Sequence, residues 1–260
     1  MNSVVFLHAH PDDEALLSGG TLRGLHQKGV RTVVIFLTNG ERGLADNRLP
    51  RELGEQRRRE ALNSSKILGV SETYFLDYED SGLNSEFALS HVSLEEMCER
   101  VKEILDKEQP DAFITYDSEG GYGHPDHKIV HRIGRKLQDV TDVPTLLEVT
   151  IDRAVIASTL DRLRYVIKLL ERFGLLQSKN VYQLADGFSP SADISYSINV
   201  RPYASAKLSA LKAHSSQSTG GLRNIRIMTL LPQLIFKRLF GTEWYVVIRD
   251  SRKSPFNLLK

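Results

Sequence analysis

A chain of 260 residues, 41% hydrophobic and 26% charged, can bury a full core and has an ordinary globular composition. Its formal net charge of +1 gives no electrostatic reason to expect a nucleic-acid partner. The lone Cys98 excludes an intramolecular disulfide and a cysteine-built zinc cage, and no run of about 20 apolar residues offers a transmembrane helix. With one cysteine and no signal-like start, the expectation is a cytoplasmic protein.

The first element is the apolar run Val4-Val5-Phe6-Leu7, suited to a buried strand, which stops at His8-Ala9-His10-Pro11-Asp12-Asp13-Glu14. A helical period carried by Ala15, Leu16, Leu22 and Leu25 follows at once, predicting a helix over 14–28 with Gly29 as its cap. A strand over 30–37 leads into a polar, glycine-containing loop at 38–43, and a helix over 53–68 ends at Gly69. A short strand at 72–76 opens an acidic loop at 77–82. The helix over 93–107 begins with Ser93-Leu94-Glu95-Glu96, a capping box. A strand over 111–117 extends the alternation of strand and helix that marks a parallel sheet. The predicted fold is α/β and Rossmann-like, mostly parallel, with helices on both faces and the active site at the carboxyl ends of the strands.

After Pro144 the pattern is less regular. Strands are expected at 145–151, 194–200 and 244–248, and helices at 159–173, 202–213 and 222–240, the last broken or kinked by Pro232. No linker separates this part, so residues 1–260 read as one domain with a less regular section over 151–260. The apolar stretch 225–240 reads either as a kinked core helix or as an exposed surface for a subunit or a membrane.

Chemistry concentrates at two strand ends. His10 and Asp13, three apart across a turn stiffened by Pro11, can converge on one point, and imidazole plus carboxylate is how a catalytic zinc site begins. Gly120-Gly121-Tyr122-Gly123-His124-Pro125-Asp126-His127 repeats the arrangement after the 111–117 strand. His124 and His127 can both face the crevice, one as a third ligand and the other as an acid or oxyanion partner. A single histidine before a helix is ordinarily a surface or capping residue. Acidic residues at a helix start ordinarily just answer its dipole. Two His-Pro-Asp turns at two strand ends are hard to explain that way.

These motifs resemble those of the LmbE-like, or PIG-L-type, zinc-dependent N-deacetylases. Thr38-Asn39-Gly40-Glu41, Arg57-Arg58-Arg59-Glu60-Ala61 and Ala213-His214-Ser215-Ser216-Gln217 add weaker support. The resemblance implies His10, Asp13 and His127 as metal ligands, for zinc or alternatively iron(II). It implies Asp12 as general base and His124, in protonated form, as the group that holds the oxyanion or protonates the leaving amine. Asp126 would orient and charge His124, and Tyr122 would bond the same oxyanion. It further implies an N-acetylglucosamine unit as substrate, within a small-molecule or lipid-linked conjugate, with Glu41, Arg57 and Asp80 as sugar contacts.

Each sugar contact has a plainer rival, because a basic helix face is usually just solvated and Asp80-Ser81-Gly82 is an ordinary turn. His8 is expected in the core or behind the site, and His131 falls outside the matched motif. His26 and His91 are expected on the surface, and His214 is left between the active site and an oligomer contact. Two other function classes stay in view: a zinc amidase acting on a thiol conjugate, and a non-catalytic sugar-binding protein on the same fold. Homo-oligomerisation is left open.

Overall fold

The computed structural model describes residues 2–42, 50–83, 85–162, 164–172, 188–217 and 225–250. Five strands run parallel: β1 (Ser3–His8), β2 (Arg31–Thr38), β3 (Glu72–Tyr78), β4 (Ala112–Tyr116) and β5 (Thr145–Thr150). Two more, β6 (Tyr196–Asn199) and β7 (Thr242–Asp250), extend the sheet. β7 pairs antiparallel with both β5 and β6, and the order is β3-β2-β1-β4-β5-β7-β6. β1, β4 and β5 are buried at every residue, as parallel strands covered on both faces must be, which is why they read as near-continuous apolar runs.

This order positions the site. The chain steps from β1 through β2 to β3 in one direction, then returns to place β4 on the other side of β1. Where the strand order reverses, the connections leave on opposite faces and a crevice opens at the carboxyl ends. Here the reversal lies between β1 and β4, the two strands that end in His-Pro-Asp turns. Two motifs more than a hundred residues apart thereby become neighbours.

The expected first helix is two: α1 (Asp13–Leu17) and α2 (Gly19–Gln27). Ser18-Gly19-Gly20 breaks it because the backbone there must approach Val200, and a Cβ on Gly20 would lie 2.3 Å from the Val200 Cβ. The start of α2 is capped from β7: Gly20 and Thr21 each donate a backbone N–H to the Glu243 carboxylate at 2.8 Å, and Lys207 donates to it at 2.6 Å.

α3 (Pro50–Leu68) starts earlier than expected, and α4 (Leu94–Glu108) starts on its Ser93 cap, which accepts the Glu96 N–H at 3.1 Å. A one-turn α5 (Gly120–Gly123) and α6 (Pro125–Gln138) carry the second motif. The helix expected over 159–173 is α7 (Arg153–Arg162) and α8 (Arg164–Arg172), with Phe173 outside the described residues.

α9 (Ala204–Ala213) follows β6. The last expected helix is split by Pro232 into α10 (Ile225–Thr229) and α11 (Gln233–Leu239), with 222–224 outside the described residues. Ile225 and Phe236 are buried, while Leu230, Leu234, Ile235 and Leu239 are exposed, so the segment is not a core helix. No described helix is long and apolar enough to cross a membrane.

Candidate active site

The turn after β1 is bent at Asp12, a non-glycine residue with φ 112° and ψ −28°. Such a backbone persists only where its surroundings hold it. Arg57 from α3 supplies part of that hold. Its Nη2 donates to the Asp12 carboxylate at 3.0 Å and to the Pro11 carbonyl, and Nη1 donates to the Gly40 carbonyl at 2.8 Å. Asp12 and Asp13 then project differently. Asp13 is buried, with Oδ2 3.5 Å from His10 Nδ1 and 3.2 Å from His127 Nε2.

The second motif is built by glycine. Gly120 has φ 65°, and a Cβ there would meet the His127 Cβ at 2.9 Å. Asp117 anchors this loop by accepting the Gly121 N–H at 2.8 Å and the hydroxyls of Thr150 and Ser189. The His127 ring stacks on Tyr116, with centroids 4.3 Å apart and 7° between planes. His127 Nδ1 donates to the Gly120 carbonyl at 2.9 Å, which leaves Nε2 as the lone-pair nitrogen turned to Asp13.

His124 caps α6, its Nδ1 accepting the Asp126 backbone N–H at 3.2 Å. A ring that accepts at Nδ1 is neutral, with its proton on Nε2. Burial, then His10 and His127, agree by lowering its pKa to about 4. The structure therefore holds a neutral donor at His124 where the sequence suggests a protonated one. The Asp126 carboxylate accepts from His10 Nε2 at 3.0 Å and from the Ser81 N–H at 3.2 Å, so it bonds His10 directly and acts on His124 through its charge alone. The N-cap geometry explains this, since it spends the backbone of Asp126 on His124 and turns its side chain away.

Ionisation sorts the acids. Burial works against the Asp13 carboxylate, but positive charge at His127 and His10, which a bound cation would replace, outweighs it and holds the pKa well below the usual range. Asp126 is held at about 2, where His10 and Ser81 overcome burial. Burial disfavours a charged His10, yet Asp80, Asp126 and Asp13 keep its pKa well above the ordinary value. Asp12 goes the other way: burial lifts it to about 6 despite Arg57.

The donors fit a metal ion. Asp13 Oδ1 is buried and finds no hydrogen-bond partner among the described residues, a costly state for an anionic oxygen unless a cation meets it. The lone pair on His127 Nε2 facing Asp13 Oδ2 is repulsive unless a proton or cation lies between them. Two imidazoles and a carboxylate form an N/O set suited to zinc or iron(II). His124 lies equally near: donor atoms of His10, His124 and His127 all fall within 4.8 Å of one another, as do those of His10, Asp80 and Asp126.

The expected sugar contacts divide. Glu41 is half-buried, with Oε2 unpartnered among the described residues, and burial together with Asp80 lifts its pKa to about 7. It helps line a cavity of about 610 Å³ with Asn39, Arg58, Asp77 and Glu79. Arg57 and Asp80 are instead buried and committed inward. The Asp80 carboxylate accepts from Thr38 Oγ1 at 2.6 Å and from the Arg42 N–H at 2.8 Å, with Oδ1 3.7 Å from His10. Both brace the motif-bearing turns through these bonds. The Tyr122 side chain lies outside what the structure describes.

His8 sits behind the site, bonded through Nδ1 to Tyr116 Oη at 2.9 Å. His131 faces away, donating to Glu148 at 2.9 Å, and His26 and His91 are exposed. Asp117 has no signal in the sequence, since an acid after a strand is common. Glu14 and His214 were visible inside their motifs, yet nothing in the sequence pairs them; in the fold they bond at 2.8 Å.

Comparison with known proteins identifies the family. A family model described as PIG-L, GlcNAc-PI de-N-acetylase, matches residues 5–137. An Acidothermus cellulolyticus protein, 1D-myo-inositol 2-acetamido-2-deoxy-alpha-D-glucopyranoside deacetylase, is 31% identical, covering 96% of this chain and 90% of its own. Among solved structures, N,N'-diacetylchitobiose deacetylase from Pyrococcus horikoshii superposes with a TM-score of 0.63 at 20% identity, over 100% of this chain and 89% of its own. The 4-carboxy-2-hydroxymuconate hydratase from Pseudomonas putida reaches 0.61 at 14% identity, over 98% of this chain and 99% of its own. At these identities the two structures speak for the fold alone. Motifs, strand order and the full-length relative agree: the chain belongs to the PIG-L family.

Proposed function

We propose that the protein hydrolyses the acetamide bond of an N-acetylglucosamine-type unit in a small-molecule or lipid-linked conjugate, releasing acetate and a free amine. The observation that carries this reading is Asp12. It is a partly buried carboxylate that Arg57 grips at 3.0 Å, chained to Asp13 of the buried His10–Asp13–His127 cluster but turned differently from it. A general base works best with a pKa near the working pH, and burial pushes Asp12 upward in that direction while Asp13 is held low.

His10, Asp13 and His127 would hold zinc, or iron(II). When bound, the ion supplies a Lewis acid and lowers the pKa of water toward neutrality. Asp13 is preferred to His124 as the third ligand because it is anionic and buried with a bare oxygen, whereas His124 already spends Nδ1 as a helix cap. Asp126 and the Gly120 carbonyl fix the rings of His10 and His127.

Asp12 takes a proton from the attacking water as its oxygen bonds to the acetamide carbon. The Nε2–H of neutral His124 donates to the carbonyl oxygen as it gains negative charge. Asp12, now a carboxylic acid, returns the proton to the nitrogen as the carbon–nitrogen bond breaks. Glu41, which lines the cavity of about 610 Å³, would accept from sugar hydroxyls seated there. Residues 1–260 are taken as one catalytic domain, because β6 and β7 complete the sheet that carries both motifs.

The relative named as a deacetylase of an acetamido sugar supports the substrate class. The test is acetate release by zinc-loaded protein from a panel of N-acetylglucosamine conjugates, N,N'-diacetylchitobiose and amides of thiol conjugates. Turnover confined to the thiol amides, or absent throughout, would overturn the reading.

A further inference from the structure

His214 ends α9, two hundred residues from the first motif, yet it is buried against that motif. Its Nε2 donates to Glu14 Oε1 at 2.8 Å, and Ser64 of α3 donates its hydroxyl to the same oxygen. The other oxygen, Glu14 Oε2, accepts the backbone N–H of Asp12 at 2.9 Å. That N–H belongs to the residue with φ 112°. The Glu14 and His214 side chains are both fully buried.

The next residues secure the same junction. Glu60 of α3 accepts from the Ser216 N–H at 2.9 Å, the Ser216 hydroxyl at 2.6 Å and the Ser215 hydroxyl at 3.0 Å. The 214–216 segment is thus tied at one end to the helix that carries Arg57 and at the other to the turn that carries Asp12. Arg57 holds the Asp12 carboxylate, and Glu14 holds its backbone. A carboxylate with only one of its two oxygens on Asp12 must be fixed by its other oxygen if it is to fix anything, and His214 and Ser64 are what fix it.

We propose that His214 is a positioning residue for the general base. By anchoring Glu14, it holds the Asp12 backbone in its left-handed conformation and so aims the Asp12 carboxylate. The His214 side chain is fully buried and bonds Glu14, which is not among the proposed metal ligands, so its loss is expected to fall on turnover and not on binding. The inference rests on Asp12 being the base, and it extends the machinery beyond the two His-Pro-Asp turns to a third segment of the chain.

Two readouts test it together: kcat and KM for acetate release at full metal content, and hydrogen exchange of the Asp12 backbone amide. His214→Ala is expected to keep its metal, to leave KM within about twofold and to lower kcat by ~10–100-fold, the effect of a misplacement of about 1 Å. Exchange at the Asp12 amide should speed up by at least about tenfold, with the amides of β1 and β2 unchanged. His214→Gln, which keeps a donor for Glu14, should recover most of both losses.

If His214→Ala does not fold, Ser64→Ala removes the second bond to the same oxygen and should show the same changes at smaller amplitude. Wild-type kcat together with wild-type Asp12 exchange, in whichever of these variants folds, overturns the proposal. If wild-type protein releases no acetate, the deacetylase reading fails, and the exchange experiment still decides whether His214 holds the Asp12 turn.

Discussion

Adjacent aspartates with opposite environments carry the chemistry at the residue scale. Asp13 is pinned between two imidazoles, and Asp12 is desolvated beside one guanidinium. Asp13→Asn removes the ligand charge, so metal occupancy should fall and be partly restored by excess zinc, as elemental analysis will show. His127→Ala should lose metal outright. His124→Ala should keep it and lose ~100–1000-fold in kcat, the usual cost of one oxyanion donor. If His124→Ala alone lost the metal, the imidazole trio and not Asp13 would be the ligand set. The His-Pro-Asp turns were legible because rare residue types recur at two strand ends. The inward roles of Arg57 and Asp80 were not, because a charged side chain on a helix or in a turn is ordinarily solvated. Only tertiary packing shows that these two meet buried carbonyls and hydroxyls first.

At the level of elements, long-range polar contacts tie the helices that follow the two motif-bearing turns to the sheet. Glu243 of β7 caps α2 and pairs with Lys207 of α9, with both side chains almost wholly buried. Glu243→Ala leaves a buried ammonium and two backbone N–H groups unmatched, and should cost about 3–5 kcal/mol in urea unfolding. No local pattern marks this cap, which explains why one helix was expected where two form.

Another lock joins α6 to β5 through His131 and Glu148. The hydrogen bond to Glu148 raises the His131 pKa above its ordinary value, against burial. That stabilisation is full below the unfolded-state pKa of about 6.5 and is lost as pH rises through the higher folded-state value. The stability advantage of wild type over His131→Gln should therefore shrink as pH rises, measured by urea unfolding from acid to alkaline pH. A pH-independent difference would show that the pair is not charged.

For the whole molecule, the parallel sheet was readable from alternating strands and helices, and the crevice from the motifs at strand ends. The reversal of strand order between β1 and β4, and the antiparallel entry of β7, came only with the fold, because strand order depends on which edges pair and not on any one strand's sequence. The late apolar segment shows the same limit. Leu234 is 82% exposed while Phe236, two residues on, is fully buried. Leu234→Ser should change stability by no more than about 0.5 kcal/mol, and Phe236→Ala should cost about 3–5 kcal/mol. What the architecture achieves is to bring the proposed base and the proposed metal ligands to a single crevice. The sharpest test is acetate release from an N-acetylglucosaminyl conjugate by wild-type and Asp12→Asn proteins, each with its zinc content measured. Asp12→Asn should hold zinc as wild type does and turn over ~100–10,000-fold more slowly. Full turnover by zinc-replete Asp12→Asn would contradict Asp12 as the base.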